Sequence, residues 1–257
     1  MLTSAHFLIN LLPMIVLAVF GWLLSLKYNN VTIVDSLWAL FFLVSTLSSF
    51  YLFSSNSTRS YLSLFLVSVW ALRLSIHLHL RNHNKAEDSR YQAIRERNEP
   101  YFRYKSLYLV FILQAILALV ISLPLQAAIQ SNNTIVGTDY VGISFWIVGM
   151  SFQVIGDSQL SKFKSNPQNK NKVLNYGLWR YTRHPNYFGE ACIWFGYGFI
   201  AIAAGAWWTI VSPIFMTYLL IKVTGVKLLE ADISKRRPDY KTYIQNTSSF
   251  FPWLPKN

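Results

Sequence analysis

The sequence is poor in the residues that build disulfides and metal sites. Cys192 is its only cysteine, which excludes an internal disulfide and a thiolate metal cage. Its five histidines are too few for the clustered histidine ligands of a membrane di-iron oxygenase. His79 and His83 have the i, i+4 spacing of a metal-binding pair but lack evident acidic or thiolate co-ligands. We therefore predict no metal site and place both histidines at a membrane–water interface.

Glycine-rich phosphate loops are also missing. Neither GxGxxG nor GxxxxGK[ST] occurs, so a nucleotide cofactor must be held by other groups. Acidic residues are scarce, because 11 Asp and Glu stand against 23 Lys and Arg, a net charge of +12. The basic loops contain no recognised nucleic-acid-binding module, so we predict no nucleic-acid partner.

Apolar and aromatic residues are abundant. Hydrophobic residues make up 53% of the 257 residues and charged residues only 13%, which is too apolar for a soluble domain of this length. Seven hydrophobic runs are each about 20 residues long, enough to cross about 30 Å of hydrocarbon as a helix. They are approximately 7–26, 32–53, 61–80, 106–128, 140–160, 187–205 and 207–225. We predict an all-α, polytopic membrane protein with seven transmembrane helices in a single membrane domain, 1–257.

The distribution of positive charge predicts the orientation of these helices. Lys and Arg are concentrated in 81–105, in 161–186 and from residue 226 onward, whereas 54–60 and 129–139 contain only one cation between them. Because short cytoplasmic segments hold the excess of Lys and Arg, we predict an external N-terminus and a cytoplasmic C-terminus. The same basic layer suits contact with anionic membrane lipids.

The stretch 177–190, GLWRYTRHPNYFGE, places charged and polar side chains directly before a hydrophobic run. Pro185 suits the first turn of a helix, so the sixth crossing is predicted to begin there. Arg183, Tyr187 and Glu190 then lie near one helix face. The structural alternative for this segment is a juxtamembrane anchor in which Glu190 pairs with a neighbouring Arg.

The predicted helix start suits a bound anion. Its unpaired backbone amides add partial positive charge to Arg180, Arg183 and His184, a combination that can cradle a phosphate or pyrophosphate. Asn186 offers both a donor and an acceptor, which matches a carboxamide. Glu190 cannot remain charged in hydrocarbon without a partner, so we interpret the whole segment as a binding site.

Three further ionisable residues fall within the predicted spans. They are Asp35 near the start of the second span, Arg73 within the third and Asp157 near the end of the fifth. Ionisable groups at membrane depth usually serve a function, and Asp35 and Asp157 are the better candidates. For Arg73 a structural ion pair explains the charge equally well.

Several motifs spread along the chain together resemble those of one family. They are the run 177–190, Gly156-Asp157, Leu229-Glu230, Arg237-Pro238, Tyr240, Tyr243 and Phe251-Pro252, with Val34-Asp35-Ser36-Leu37-Trp38, Trp70-Ala71-Leu72-Arg73-Leu74 and Glu87-Asp88-Ser89-Arg90-Tyr91 upstream. The chain resembles the steroid 5-alpha-reductase C-terminal family, in particular its bacterial-type branch, often labelled only as a domain of unknown function. The resemblance implies a seven-helix membrane fold that binds NADPH from the cytoplasmic side. It also implies reduction of a carbon–carbon double bond conjugated to a carbonyl in a lipophilic, steroid-like or isoprenoid substrate.

The resemblance also implies site residues. In the steroid reductases a membrane glutamate and a tyrosine polarise the ketone, and Tyr91 occupies a similar region here. No residue in this sequence clearly corresponds to that glutamate, and Asp35 is the nearest candidate. Tyr187 is a second candidate proton donor. The implied cofactor residues are Asn186 and Glu190 at the nicotinamide, Asp157, Lys162, Arg180, Arg183 and His184 at the ribose and phosphates, and Tyr240 closing the pocket.

Two other classes of function stay open. The isoprenylcysteine and phospholipid methyltransferases carry a similar Arg-His-Pro-x-Tyr element and use it for S-adenosylmethionine. Asn186 directly before Tyr187, and Glu190 after Gly189, look like the reductase version. A membrane binding protein without chemistry is the third alternative. The membrane itself is predicted to be a bacterial inner membrane or the endoplasmic reticulum.

Overall fold

The computed structural model describes residues 4–223, 230, 237 and 239–256. These residues form helices and connecting loops without a β-strand, which confirms the all-α prediction. The chain divides into two compact units. Unit 1 comprises Met1–Ile135 with Ala204–Ala206, and unit 2 comprises Val136–Ala203 with Trp207–Asn257. The single membrane domain stays a prediction.

Unit 1 consists of long apolar helices followed by shorter ones. They are α1 (Ser4–Tyr28), α2 (Ile33–Phe53), α3 (Thr58–Asn82), α4 (Ser89–Asn98), α5 (Phe102–Ser106), α6 (Leu113–Ile121) and α7 (Leu123–Gln130), with a π-helical stretch, Leu107–Ile112, joining α5 to α6. The core includes Trp70, Phe41 and Phe42, all fully buried. The rings of Phe42 and Trp70 meet at 5.6 Å with an interplanar angle of 61°, so α2 and α3 pack through an edge-to-face aromatic pair.

Unit 2 is dominated by two long helices. Its helices are α8 (Gly137–Ser165), α9 (Pro185–Ala203), α10 (Val211–Tyr218) and α11 (Tyr240–Asn246), with 3₁₀ turns at Pro167–Asn169, Gly177–Arg180 and Trp207–Ile210 and a π-helical stretch at Leu219–Val223. α9 begins at Pro185, as the sequence predicts.

Among the residues that the structure describes, five helices are long and apolar enough to cross a membrane. They are Leu8–Tyr28, Ile33–Phe53, Thr58–Asn82, Phe102–Ile121 and Gly137–Ser165, and Trp207–Val223 is a shorter apolar helix. These helices support a multi-pass membrane protein. Seven crossings and the orientation of the termini stay predictions.

The fourth predicted crossing, 106–128, differs from the observed helices. The apolar helix ends at Ile121 and a separate helix, α7, begins at Leu123. Pro124 explains the break, because a proline lacks the backbone N–H that would bond to the carbonyl four residues earlier in a continuous helix.

Glycines bring α8 and α9 into backbone contact. A Cβ atom added at Gly149 would lie 2.5 Å from the carbonyl oxygen of Gly189, and one at Gly142 would lie 2.7 Å from that of Gly196. Small residues let membrane helices approach closely, and no larger side chain fits at these positions. The contact fixes how polar side chains on α8 and α9 meet.

Candidate functional site

In unit 1 the structure brings two predicted catalytic residues together. The Tyr91 hydroxyl donates a 2.6 Å hydrogen bond to Asp35 Oδ1. Arg90 Nη2 lies 3.0 Å from the other carboxylate oxygen of Asp35, and Gln114 Nε2 donates to the Tyr91 oxygen at 3.3 Å. Tyr91 is buried, with 6% of its surface exposed. The phenol is therefore fixed by one acceptor and one donor.

The loop before α4 explains this placement. The Asp88 carboxylate caps α4 by accepting a backbone N–H two residues further along, and the Asp88 N–H donates to Thr32 Oγ1 at 2.8 Å. Glu87 Oε1 accepts a hydrogen bond of 2.8 Å from the backbone N–H of the residue that precedes Thr32. These bonds hold the start of α4 against the start of α2. Tyr91 and Asp35 both lie in first turns, so they face each other.

The environment keeps the Tyr91 phenol protonated. Burial raises the pKa of Tyr91 well above its ordinary value, and the Asp35 charge raises the pKa further. Burial also disfavours the charged form of Arg90, but its hydrogen bond to Asp88 and the Asp35 charge outweigh this, so the pKa of Arg90 is raised. Tyr91 is thus a neutral hydrogen-bond donor beside an ion pair.

In unit 2, Arg183 and His184 contact a carboxylate. Arg183 Nε and Nη2 lie 2.7 Å and 3.0 Å from the two oxygens of Glu230, and His184 Nε2 lies 3.0 Å from Glu230 Oε1. Arg183 Nη1 donates to the carbonyls of Ile244 at 3.0 Å and Thr247 at 2.5 Å. Every guanidinium nitrogen of Arg183 therefore has a protein partner. The phosphate roles of Arg183 and His184 stay predictions.

Further bonds tie the C-terminal segment to the stretch before α9. Thr182 Oγ1 donates to the Phe250 carbonyl at 2.8 Å, and the Trp253 N–H donates to the Tyr181 carbonyl at 3.0 Å. These contacts make the segment 240–256 one wall of the site in unit 2.

Burial and ion pairing set the charges of the groups around Arg183. Burial raises the pKa of Glu230, but the hydrogen bonds from His184 and Arg183 outweigh this effect and lower the pKa overall. Burial, followed by the Glu230 charge, raises the pKa of Tyr240. The His184 and Tyr187 rings stack with centroids 5.5 Å apart. Tyr240 is thus a neutral group beside an ion pair.

A basic cleft opens beside this wall. Its volume is about 560 Å³, and its lining includes Lys172, Arg180 and Lys256 together with the acidic Asp239. Asparagine, threonine and tyrosine side chains complete the polar lining. Arg180 is predicted from the sequence, whereas Lys172 and Lys256 are recognisable only once the chain is folded. The predicted Lys162 is exposed on α8 and does not line this cleft.

Polar side chains also meet where α8 packs on α9. Trp194 Nε1 donates to Glu190 Oε1 at 2.9 Å, and the Gln153 amide donates to the other Glu190 oxygen. Asn186 Nδ2 donates to Asp157 Oδ1 at 3.3 Å. The residues predicted at the nicotinamide end therefore lie along one helix interface.

No group of three or more His, Cys, Asp or Glu within 4–223, 230, 237 and 239–256 has metal-binding geometry.

Sequence reasoning assigns no role to several residues of these groups. Gln114 lies within the predicted span 106–128 and has no nearby motif. Glu230 belongs to the quoted Leu229-Glu230 motif, which singles it out in the sequence, but its pairing with Arg183 is visible only in the structure.

The family model described as "Protein of unknown function (DUF1295)" matches residues 21–247. The "Uncharacterized protein C594.04c" of Schizosaccharomyces pombe is 26% identical, across 96% of this chain and 80% of its own length. No solved structure matches the chain. Because the family model covers most of the sequence, the chain belongs to the DUF1295 family.

Proposed function

We propose that this protein is a membrane-embedded, NADPH-dependent reductase. Its substrate is a lipophilic, steroid-like or isoprenoid molecule with a carbon–carbon double bond conjugated to a carbonyl. The observation that carries this proposal is the buried, protonated Tyr91 hydroxyl held 2.6 Å from Asp35. A fixed neutral donor of this kind stabilises the negative charge that develops on a carbonyl oxygen during reduction.

The chemistry assigns a role to each neighbour of Tyr91. When bound, the cofactor supplies a hydride to the carbon β to the carbonyl, and a proton must reach the α carbon. The Tyr91 hydroxyl moves its hydrogen bond from Asp35 to the substrate oxygen. Gln114 keeps donating to the phenol oxygen, and Arg90 holds the Asp35 carboxylate in place. Asp35 and Arg90 are thus positioning residues for the phenol.

The basic cleft of unit 2 supports a dinucleotide cofactor. Its volume of about 560 Å³ lies in the range of small-molecule sites, and its cations Lys172, Arg180 and Lys256 suit phosphate groups. Only one acidic residue, Asp239, is in its lining among the residues that the structure describes. We assign these cations to the cofactor phosphates.

The α8–α9 interface supports the nicotinamide end. The Asn186 amide can exchange its bond to Asp157 for a ligand carboxamide, because an amide side chain offers both donor and acceptor. Glu190 is held by Gln153 and Trp194, which are both buried. We assign Asn186 and Glu190 to the orientation of the cofactor ring.

The proposal includes seven crossings with a cytoplasmic C-terminus. α9 has 19 residues, which span about 28 Å at the helical rise, close to the thickness of the hydrocarbon. Gly205 has a φ of +85°, a conformation that suits glycine in a tight turn between α9 and Trp207–Val223. The positive-inside pattern then puts the basic cleft on the cytoplasmic side of a bacterial inner membrane or of the endoplasmic reticulum.

A ligand-stabilisation experiment tests this function against methylation. Detergent-purified protein is heated with NADPH, NADH or S-adenosylmethionine, and the Tm is compared with that of the protein alone. A ligand present at 100 times its Kd stabilises a protein by about 2.7 kcal/mol, which a Tm shift reveals. We expect a shift with NADPH and oxidation of NADPH when lipophilic enones are added. A shift with S-adenosylmethionine and none with NADPH would assign the protein to the methyltransferases, and NADPH binding without oxidation would leave a binding protein.

A further inference from the structure

Unit 1 contains buried polar side chains among helices that are otherwise apolar. We call this group the polar cluster, and it draws on α1, α2, α3 and the junction of α6 with α7. Its members, all at most 1% exposed, are Asn10, Ser45, Ser49, Ser63, Ser122 and Gln126. Four of the six lie within helices apolar enough to cross a membrane. Such positions offer no bulk water to satisfy a polar atom.

Some of these side chains bond to one another. Gln126 Nε2 donates to Ser122 Oγ at 2.7 Å, and Ser122 Oγ lies 3.4 Å from Ser45 Oγ. Ser49 Oγ donates to Asn10 Oδ1 at 3.0 Å. Ser45 and Ser49 are one helical turn apart on α2, so the two sets of bonds are neighbours.

Other polar atoms of the cluster are left over. Ser63 Oγ, Gln126 Oε1 and Asn10 Nδ2 are buried and have no hydrogen-bond partner within the part of the chain that the structure describes. A hydroxyl, a carbonyl and an amide N–H in such surroundings are costly unless a ligand bonds to them.

The packing of α3 against α7 shows how far along each helix these polar atoms lie. Ser57 Oγ donates to the Ser131 carbonyl at 2.7 Å, and Ser60 Oγ donates to the Ile129 carbonyl at 2.6 Å. As residue numbers rise on α3 they fall on its partner, so the two segments run in opposite directions.

The same register continues one step further along both helices. Ser63 follows Ser60 by three residues, and Gln126 precedes Ile129 by three residues. Each step is about 4.5 Å along its helix axis. Ser63 and Gln126 therefore lie at the same height along the two packed helices. One helix presents the unsatisfied hydroxyl and the other presents the unsatisfied carbonyl.

We propose that the polar cluster binds a hydroxyl group, which donates to Gln126 Oε1 and accepts from Ser63 Oγ. Internal water and the alcohol group of a membrane lipid share this chemistry. The site is distinct from Tyr91 and Asp35, because Ser45 lies ten residues beyond Asp35 on α2, about 15 Å along the helix. The proposal is independent of the reductase function.

Ser63→Ala tests the site, because the substitution removes a leftover atom and breaks no bond within the described protein. The matched control is Ser68→Ala on the same helix, where Ser68 Oγ donates to the Leu64 carbonyl of its own helix. If a hydroxyl ligand is bound, the Tm of Ser63→Ala should fall by about 2–4 °C more than that of the control. An unchanged or higher Tm relative to the control would overturn the proposal, because an unsatisfied hydroxyl would then have been removed.

Native mass spectrometry of the same variants separates the two sources of the hydroxyl. A lipid alcohol retained by the wild-type protein and lost from Ser63→Ala, together with the fall in Tm, identifies a lipid. A fall in Tm with no difference in bound mass identifies water.

Discussion

Tyr91 and Asp35 are hydrogen-bonded at 2.6 Å although 56 residues separate them in the sequence. The first turn of α4 is held against the first turn of α2 by the bonds of Glu87 and Asp88. This phenol and this carboxylate are brought together by dedicated contacts, with the carboxylate in the first turn of an apolar helix long enough to cross a membrane. They form the centre of the proposed activity.

Tyr91→Phe should leave cofactor binding intact and slow turnover. The substitution removes only the hydroxyl that donates to the developing negative charge, so kcat should fall by about 10²-fold or more. The rate of NADPH oxidation with a responsive enone measures kcat, and the NADPH-induced Tm shift reports binding. Tyr108→Phe, at an exposed tyrosine on the π-helical stretch, is the control. An unaltered kcat for Tyr91→Phe would remove Tyr91 from the chemistry.

Arg180→Ala and Lys172→Ala should each weaken NADPH binding by about tenfold, with a smaller dependence of the Kd on salt. Each loses one charge-assisted bond to phosphate, worth roughly 1.5–3 kcal/mol before solvent screening of these open positions. Titration at two salt concentrations gives the Kd values. Lys241→Ala serves as the control, because this exposed lysine lies on α11 outside the cleft lining. An equal loss in the control would point to net charge rather than to the cleft.

Arg183→Ala should release the C-terminal segment. The substitution removes both Arg183 bonds to the Glu230 carboxylate, which keeps its contact with His184, and it frees the carbonyls of Ile244 and Thr247. Breaking a buried pair typically costs about 3–5 kcal/mol. Limited proteolysis should therefore cut within 239–256 faster than in the wild type. Arg97→Ala, on the surface of α4, is expected to behave like the wild type. Equal cleavage of the two variants would mean that Arg183 does not hold this segment.

The stability of unit 2 should fall in acid, with part of the loss assigned to Glu230. The pKa of Glu230 is lower in the folded than in the unfolded protein, so its stabilising contribution is present above the unfolded value, about 4.3. The contribution is lost as pH falls through the lower folded pKa. We expect the Tm of Glu230→Gln to be below that of the wild type at pH 7, with the difference shrinking below about pH 4. A difference that is constant with pH would exclude the charge of Glu230 as the cause.

Gly149→Ala should destabilise the protein through helix packing alone. The new Cβ would lie 2.5 Å from the Gly189 carbonyl oxygen, and overpacking of this kind costs about 1–3 kcal/mol. Gly137→Ala is the matched control on the same helix, because its Cβ would have no atom within 4 Å. Thermal unfolding in detergent measures both, and similar Tm values for the two variants would contradict the close approach of α8 and α9.

Much of the fold can be predicted because its signals are local. Long apolar runs indicate membrane helices wherever they occur, and Pro185 marks the start of α9 by its covalent structure. The break between α6 and α7 is not predicted from the sequence, because hydropathy continues through Ser122 and Pro124, whereas the backbone hydrogen bonds of the helix do not.

The candidate site is less predictable because it depends on distant pairs. Arg183 carries the signals of a phosphate ligand in the sequence, yet its partner Glu230 lies 47 residues away and pairs with it only in the folded chain. Serines such as Ser63 give no periodic signal within an apolar run. Their grouping depends on the register of α3 against α7, which no local pattern contains.

The pairing of Arg183 with Glu230 has a further consequence. The carboxylate occupies the positions that two oxygens of an incoming anion would take, so the chain supplies its own competitor. A phosphate that binds this guanidinium would have to displace Glu230, so phosphate capture and the Arg183–Glu230 ion pair would exclude each other.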